Sequence, residues 1–127
     1  MLFRPNGRGQ LGPHLLSPAA VEYLEKHRYT VVTWNCAARD WETPSDAWMK
    51  RARGAISAQD WTLLVLHDVQ AEAMQHLPAF LDSVLEDGIE VREDFPASCL
   101  PILNGVAQWP LGGDLMPDDE RRQTNPG

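Results

Sequence analysis

At 127 residues the chain is the length of one small domain, and 43% hydrophobic residues give it enough apolar side chains for a core. A formal net charge of -7 argues against a nucleic-acid partner, which needs a basic face for phosphates. No apolar run approaches the roughly 18 residues that span a bilayer, and the start, Met1-Leu2-Phe3-Arg4-Pro5-Asn6-Gly7, lacks the basic-then-apolar pattern of a secretory leader. The expectation is therefore no membrane association and, for the chain as written, a cytoplasmic location.

Residues 1 to 16 are rich in glycine and proline and read as loop. Ser17-Pro18 opens a helix, serine as the cap and proline at the first helical position, with Ala20, Val21 and Leu24 on its apolar face and an end near His27. Tyr29-Thr30-Val31-Val32-Thr33-Trp34 is β-branched and aromatic, hence a strand. A loop runs from Asn35 to Glu42. Thr43-Pro44-Ser45-Asp46 then resembles a capped helix start with proline at the first position, and Ala47, Met49, Ala52 and Ile56 are the candidate core positions of that helix.

Trp61-Thr62-Leu63-Leu64-Val65-Leu66 is a continuous apolar run, so both faces of this strand are expected to be buried, as in a parallel sheet. His67-Asp68 closes it. Pro78 sits in the first turn of a helix that reaches about Asp87, with Gly88 just past its end. Ile89 to Glu93 reads as a weaker third strand, and Phe95 to Leu100 as a short helix. From about Gly112 the composition turns to Gly, Pro, Asp and Arg, including Asp118-Asp119-Glu120, and reads as a disordered tail. The domain is thus expected over 1–111 and the tail over 112–127. Alternating helices and strands imply an α/β fold with a parallel sheet, open or closed as a barrel.

Active sites of parallel α/β folds gather at the C-terminal ends of strands. One such end leads into Asn35-Cys36-Ala37-Ala38-Arg39-Asp40-Trp41, the other into Leu66-His67-Asp68. A carboxylate and an imidazole are therefore expected at one edge, where Asp40 holds the His67 ring for general acid–base work. A plain loop hydrogen bond is the simpler alternative. Trp34, Trp41, Trp48 and Trp61 all qualify as core residues, Trp34 and Trp61 most of all. Cys36 and Cys99 form neither a disulfide framework nor a CxxC pair, and two reduced, partly buried thiols are expected rather than one bridge.

Together these residues resemble the polysaccharide deacetylase family, the NodB-homology domain, over about residues 3 to 104. Asp40-Trp41 is similar to the end of that family's fourth motif, and the apolar strand ending in Leu66-His67 to its fifth. Gly88-Ile89-Glu90-Val91 is similar to the segment after its long helix. Phe3-Arg4-Pro5-Asn6-Gly7 resembles its third motif, Arg-x-Pro-aromatic-Gly, with Pro5 one residue early. The resemblance implies the C-terminal half of a (β/α) barrel, about three parallel strands with helices. It implies a hydrolase that removes acetyl groups from carbohydrate of the chitooligosaccharide, peptidoglycan or xylan type. A divalent metal, zinc by preference, would polarise the acetyl carbonyl and the attacking water. His67 would be the general acid, Asp40 its partner, and Arg4 the residue that orients the catalytic base. Trp41 and Leu66 would wall the pocket for the acetyl methyl group.

The family's first two motifs, Thr-Phe-Asp-Asp and a His-Ser/Thr-x-x-His segment, supply the base and metal ligands, and neither occurs here. His14, His27 and His76 show no i, i+4 or His-x-His spacing, so no set of metal ligands is assembled from this chain. A truncated form of the family is the first expectation. The alternative is a non-catalytic α/β module that binds sugar or a partner chain. Unpaired sheet edges would invite self-association. Two smaller patterns carry no function: Gly7-Arg8-Gly9-Gln10-Leu11-Gly12 lacks a preceding strand and is followed at once by Pro13, and Lys50-Arg51-Ala52-Arg53 reads as a solvated helix face.

Overall fold

A computed structural model describes residues 1–7 and 15–111. Residues 8–14 of the expected N-terminal loop, with the Gly-x-Gly run beyond Gly7 and His14, and the expected tail lie outside the described residues. The chain divides into two compact units, one from Met1–Thr33 together with the chain from Ala97 onward, the other Trp34–Pro96.

The first unit contains a four-stranded sheet in the order β1 (Leu2–Phe3), β2 (Thr30–Val31), β5 (Ile102–Leu103), β6 (Val106–Ala107). β1 and β2 are parallel, with Leu2 opposite Thr30, while β2–β5 and β5–β6 are antiparallel. This corrects two readings of the sequence. Leu2 and Phe3 are strand rather than loop, because β2 accepts them as a neighbour: Thr30 N–H donates to Met1 C=O and Val32 N–H to Phe3 C=O, each at 2.9 Å. The hairpin β5–β6 was not anticipated, although Asn104-Gly105 announces it. Leu103 pairs with Val106, so these two residues alone make the turn, and both have positive φ, 50° and 81°. That is the conformation a tight hairpin requires and Asn-Gly supplies.

Helix α1 (Pro18–Lys26) packs with this sheet. It starts as its sequence dictates: the Ser17 side chain accepts the Ala20 N–H at 3.1 Å, and Pro18 costs nothing at a position whose N–H is unpaired anyway. Its buried Val21 and Leu24 meet Leu16, Val31, Ile102 and Leu111 in one apolar cluster. A 3-10 turn, Ala97–Cys99, stands where a short helix was expected.

The second unit carries a separate parallel pair, β3 (Cys36–Ala37) and β4 (Leu64–Val65), with Cys36 opposite Leu64 and Ala37 opposite Val65. The stretch from Tyr29 to Trp34 is therefore not one strand that leads into the site loop. It ends at Val31, because the Thr33 N–H turns to the Cys99 carbonyl at 2.8 Å. Pairing with β4 begins afresh at Asn35. There the side-chain carboxamide stands in for main chain, donating to Trp61 C=O at 2.9 Å and accepting from Leu63 N–H at 2.7 Å.

Three helices complete this unit: α2 (Ala47–Ala58), α3 (Ala71–Met74) and α4 (Leu77–Glu86). α2 begins three residues later than Pro44 suggested. Its cap is Asp46, which makes no side-chain capping bond, and Pro44 instead closes a turn by accepting the Ala47 N–H at 3.0 Å. α4 follows the expected pattern, with Pro78 in its first turn, Asp87 as cap and Gly88 at φ 75° beyond it.

The core of this unit is centred on Trp48, only 1% exposed, whose ring lies 4.9 Å from that of Phe80. Its indole N–H donates to the Ala73 carbonyl at 3.0 Å, which satisfies the one polar atom that burial would otherwise strand. Trp48 and Ala52, one turn apart, are the buried positions of α2, and Met49 and Ile56 flank them. Trp61, favoured as core, is instead 37% exposed, with the Arg92 guanidinium 4.9 Å above its ring. Residues 89–93 form no strand. Arg92 is held there by Asp94 through two 2.7 Å hydrogen bonds. Among the described residues no helix is long and apolar enough to cross a membrane.

Candidate functional site

Asp40 and His67 meet at the C-terminal ends of β3 and β4. Asp40 lies three residues beyond β3, and His67 two beyond β4. Because the two strands run parallel and in register, both loops leave the same edge. The His67 ring nitrogen Nδ1 is 2.8 Å from Asp40 Oδ1, and the His67 backbone N–H donates to Asp40 Oδ2 at 2.6 Å. A carboxylate only accepts, so the Nδ1 proton points at Asp40 and the ring presents Nε2. No described residue bonds Nε2. The carboxylate is fully enclosed at 0% exposure, while the His67 side chain is 38% exposed. The pair thus has a buried orienting end and an accessible working end.

Trp41 stands edge-on to the imidazole, centroids 5.6 Å apart at 73°, and is itself 47% exposed. Leu66, which precedes His67, is half-buried and packs on the Trp48 cluster. Four of the five residues singled out in the sequence therefore belong to one edge of the second unit. Arg4 belongs to the other unit. It follows β1 in the first unit, is exposed, and has no hydrogen bond or ion pair to a described residue.

A residue the sequence reading set aside shapes this site. Arg51, assigned there to a solvated helix face, reaches from α2 to the loop that carries Asp40. It donates to the Ala38 carbonyl at 3.1 Å, the Arg39 carbonyl at 3.4 Å and Glu42 Oε2 at 2.7 Å. One guanidinium therefore ties both sides of Asp40-Trp41, using the fork that only arginine presents. Arg39, between two of those contacts, has φ 56°, a left-handed conformation that its neighbours must hold in place. Arg53 likewise pairs, with Asp87. The sequence signal was available in the spacing, an arginine one helix turn inside α2 after an acidic loop. It was outweighed by the ordinary behaviour of basic clusters.

Among the described residues no three His, Cys, Asp or Glu side chains converge as a metal site would require. The described residues therefore offer no ligand set for the divalent ion that the family resemblance implies. Ser45 Oγ and His76 Nε2 lie 3.3 Å apart elsewhere in the second unit, a pairing not anticipated from the sequence. Cys36 and Cys99 are both free and buried, and burial pushes each thiol up from its ordinary value; for Cys99, hydrogen bonds with Ser98 and Thr33 oppose the shift. No protein-family model, curated protein or solved structure matches the chain.

Proposed function

We propose that the chain is the C-terminal part of a polysaccharide-deacetylase-like (β/α) domain, and that its second unit supplies the acid–base half of an acetyl-hydrolysing site. The observation that carries this reading is the His67–Asp40 pair, with Nδ1 engaged and Nε2 outward. Hydrolysis of an N-acetyl or O-acetyl group ends when the tetrahedral intermediate expels an amine or alcohol, and that leaving group needs a proton. An imidazole fixed through Nδ1 can take a proton from solvent onto Nε2, becoming imidazolium beside the Asp40 carboxylate, and then pass that Nε2 proton to the leaving group. The buried carboxylate keeps the ring in one tautomer and one orientation. Trp41 and Leu66, beside the histidine, offer apolar surface for the acetyl methyl group.

The reading rests on the second unit alone, since Arg4 has no described partner, and it assigns these residues acid–base work rather than metal chemistry. The substrate class is acetylated carbohydrate. The test joins binding to turnover. An N-acetylated chitooligosaccharide should shift the Trp41 and His67 NMR resonances where the deacetylated oligomer does not. Acetate release by the full chain should disappear in His67→Ala. Neither shift nor acetate from the unaltered chain would defeat the proposal.

A further inference from the structure

β4 is bonded on one side only. Asn35 and Cys36 both donate to the Leu63 carbonyl, at 3.1 and 3.2 Å, and Leu63 N–H and His67 N–H turn the same way, to Asn35 and Asp40. Main-chain groups alternate along a strand, so those of Thr62, Leu64 and Leu66 point to the outer edge. Among the described residues no strand pairs there. Along that edge lies a cleft of about 550 Å³ within the second unit. It is lined by residues 61–64 and 89–92 together with Ile56, Phe80 and Val84, and the Arg92 guanidinium lies over the Trp61 ring within it. Its volume is that of a ligand site rather than a packing defect. Its lining mixes apolar residues with charged ones: three carboxylates, Asp60, Glu90 and Asp94, against the single guanidinium of Arg92, which Asp94 holds through two hydrogen bonds and Glu90 approaches at 3.9 Å, so the carboxylates outnumber the cation.

We infer that this cleft binds an extended peptide segment with apolar side chains at alternate positions and lysine or arginine beside them, which joins β4 as a third strand. Three features select this occupant. The open main-chain groups offer hydrogen bonds that only another extended backbone matches in series. The apolar lining residues, among them Ile56, Phe80 and Val84, suit every second side chain of an extended segment. The acidic rim favours a cationic guest, and it disfavours a second copy of this chain, whose formal net charge is -7. The site is separate from the His67–Asp40 pair, so its fate does not depend on the hydrolytic reading.

The experiment is fluorescence anisotropy with the full chain and a labelled synthetic peptide of about six residues, the modal strand length. Valine and threonine alternate in it, with lysine at both ends. Saturable binding is expected, at least about tenfold weaker when the lysines become glutamates or when a central proline removes a main-chain donor. The double substitution Asp60→Lys with Glu90→Lys, both exposed, should weaken the lysine peptide by at least about fivefold. Should that variant misfold, the unaltered chain still provides a test, because its affinity should fall several-fold as salt is raised. Three results would overturn the inference: no saturable binding up to about 1 mM, equal affinity for the proline-containing peptide, or equal affinity for the glutamate peptide. A dimer in solution whose Leu64 and Leu66 amides are protected from exchange without peptide would also overturn it, by showing the edge already filled.

Discussion

Asp40 receives two hydrogen bonds from a single residue, the backbone N–H and the ring Nδ1–H of His67, at 2.6 and 2.8 Å. One carboxylate therefore fixes both the course of the chain after β4 and the rotation of the imidazole it carries. Asp40→Asn separates these roles. The amide oxygen can still accept the backbone N–H, but the amide N–H₂ then faces Nδ1 and moves the ring proton to Nε2. We expect ¹⁵N chemical shifts to report this tautomer exchange. The fold should survive it, while any acetate release drops by about 10²–10⁴, the usual contribution of a positioned acid or base. Unchanged imidazole shifts would contradict the assignment.

Arg51→Ala should loosen the loop that presents Asp40 and Trp41. The ion pair with Glu42 is one-third exposed on both sides and contributes little by itself. The bonds to the Ala38 and Arg39 carbonyls matter more, so the expected loss is about 1 kcal/mol in urea unfolding. Amide exchange should quicken locally over residues 38–42. Arg51→Lys should behave like the alanine variant, because one ammonium cannot span those carbonyls and Glu42 together.

Trp48→Phe keeps most of the buried ring and deletes the donor to Ala73. The stranded carbonyl predicts a loss of about 1–3 kcal/mol. Trp48→Ala adds a large cavity beside Phe80 and should cost about 3–5 kcal/mol. Denaturant midpoints of the two variants give the comparison.

In the first unit, Gly105→Ala forces a side chain onto φ 81° and places its Cβ 2.6 Å from the Glu25 carbonyl oxygen and 2.8 Å from Arg28 Cα. Neither contact is a flexible side-chain end, so the substitution should destabilise by at least about 1–3 kcal/mol. Asn104→Gly, which keeps the turn conformation accessible but gives up the bond its Oδ1 accepts from the Thr30 hydroxyl at 3.3 Å, should cost less, about 0.5–1 kcal/mol. Thermal unfolding distinguishes the two.

Burial raises the thiol pKa of Cys36 and Cys99, so the folded chain holds those protons more tightly than the unfolded chain. Their contribution to stability is complete below the ordinary thiol value and is lost as pH rises through it towards the raised one. The urea midpoint should therefore decline above about pH 8.5. At neutral pH both thiols should resist iodoacetamide in the native chain and react after unfolding, which mass spectrometry would detect.

What the sequence revealed depended on how local the cause was. Ser17-Pro18, Pro78 and Gly88 act through their own backbone, and the helix ends they mark are where they should be. The juxtaposition of Asp40 with His67 was legible from apolar runs that end in polar residues, although the strand leading to Asp40 is β3 and not the β-branched stretch before it. The break at Thr33 depends on Cys99, far along the chain, and leaves no mark in local composition. The same holds for Trp48, whose burial depends on Phe80 and Ala73, and for Arg51, whose partners lie in a preceding loop. Asn104-Gly105 is the exception: a local signal, present and overlooked.

The seam between Val31 and Ile102 has a bearing on how the polypeptide acquires its shape. The first unit joins the opening quarter of the chain to residues beyond Ala97, so its sheet cannot be completed until those residues have been synthesised. The second unit is one unbroken stretch, Trp34–Pro96. It can mature on the ribosome while β2 still waits for β5. Native amides should therefore gain protection first at Trp48 and Phe80 and last at Val31, an order that pulse-labelled hydrogen exchange during refolding would expose.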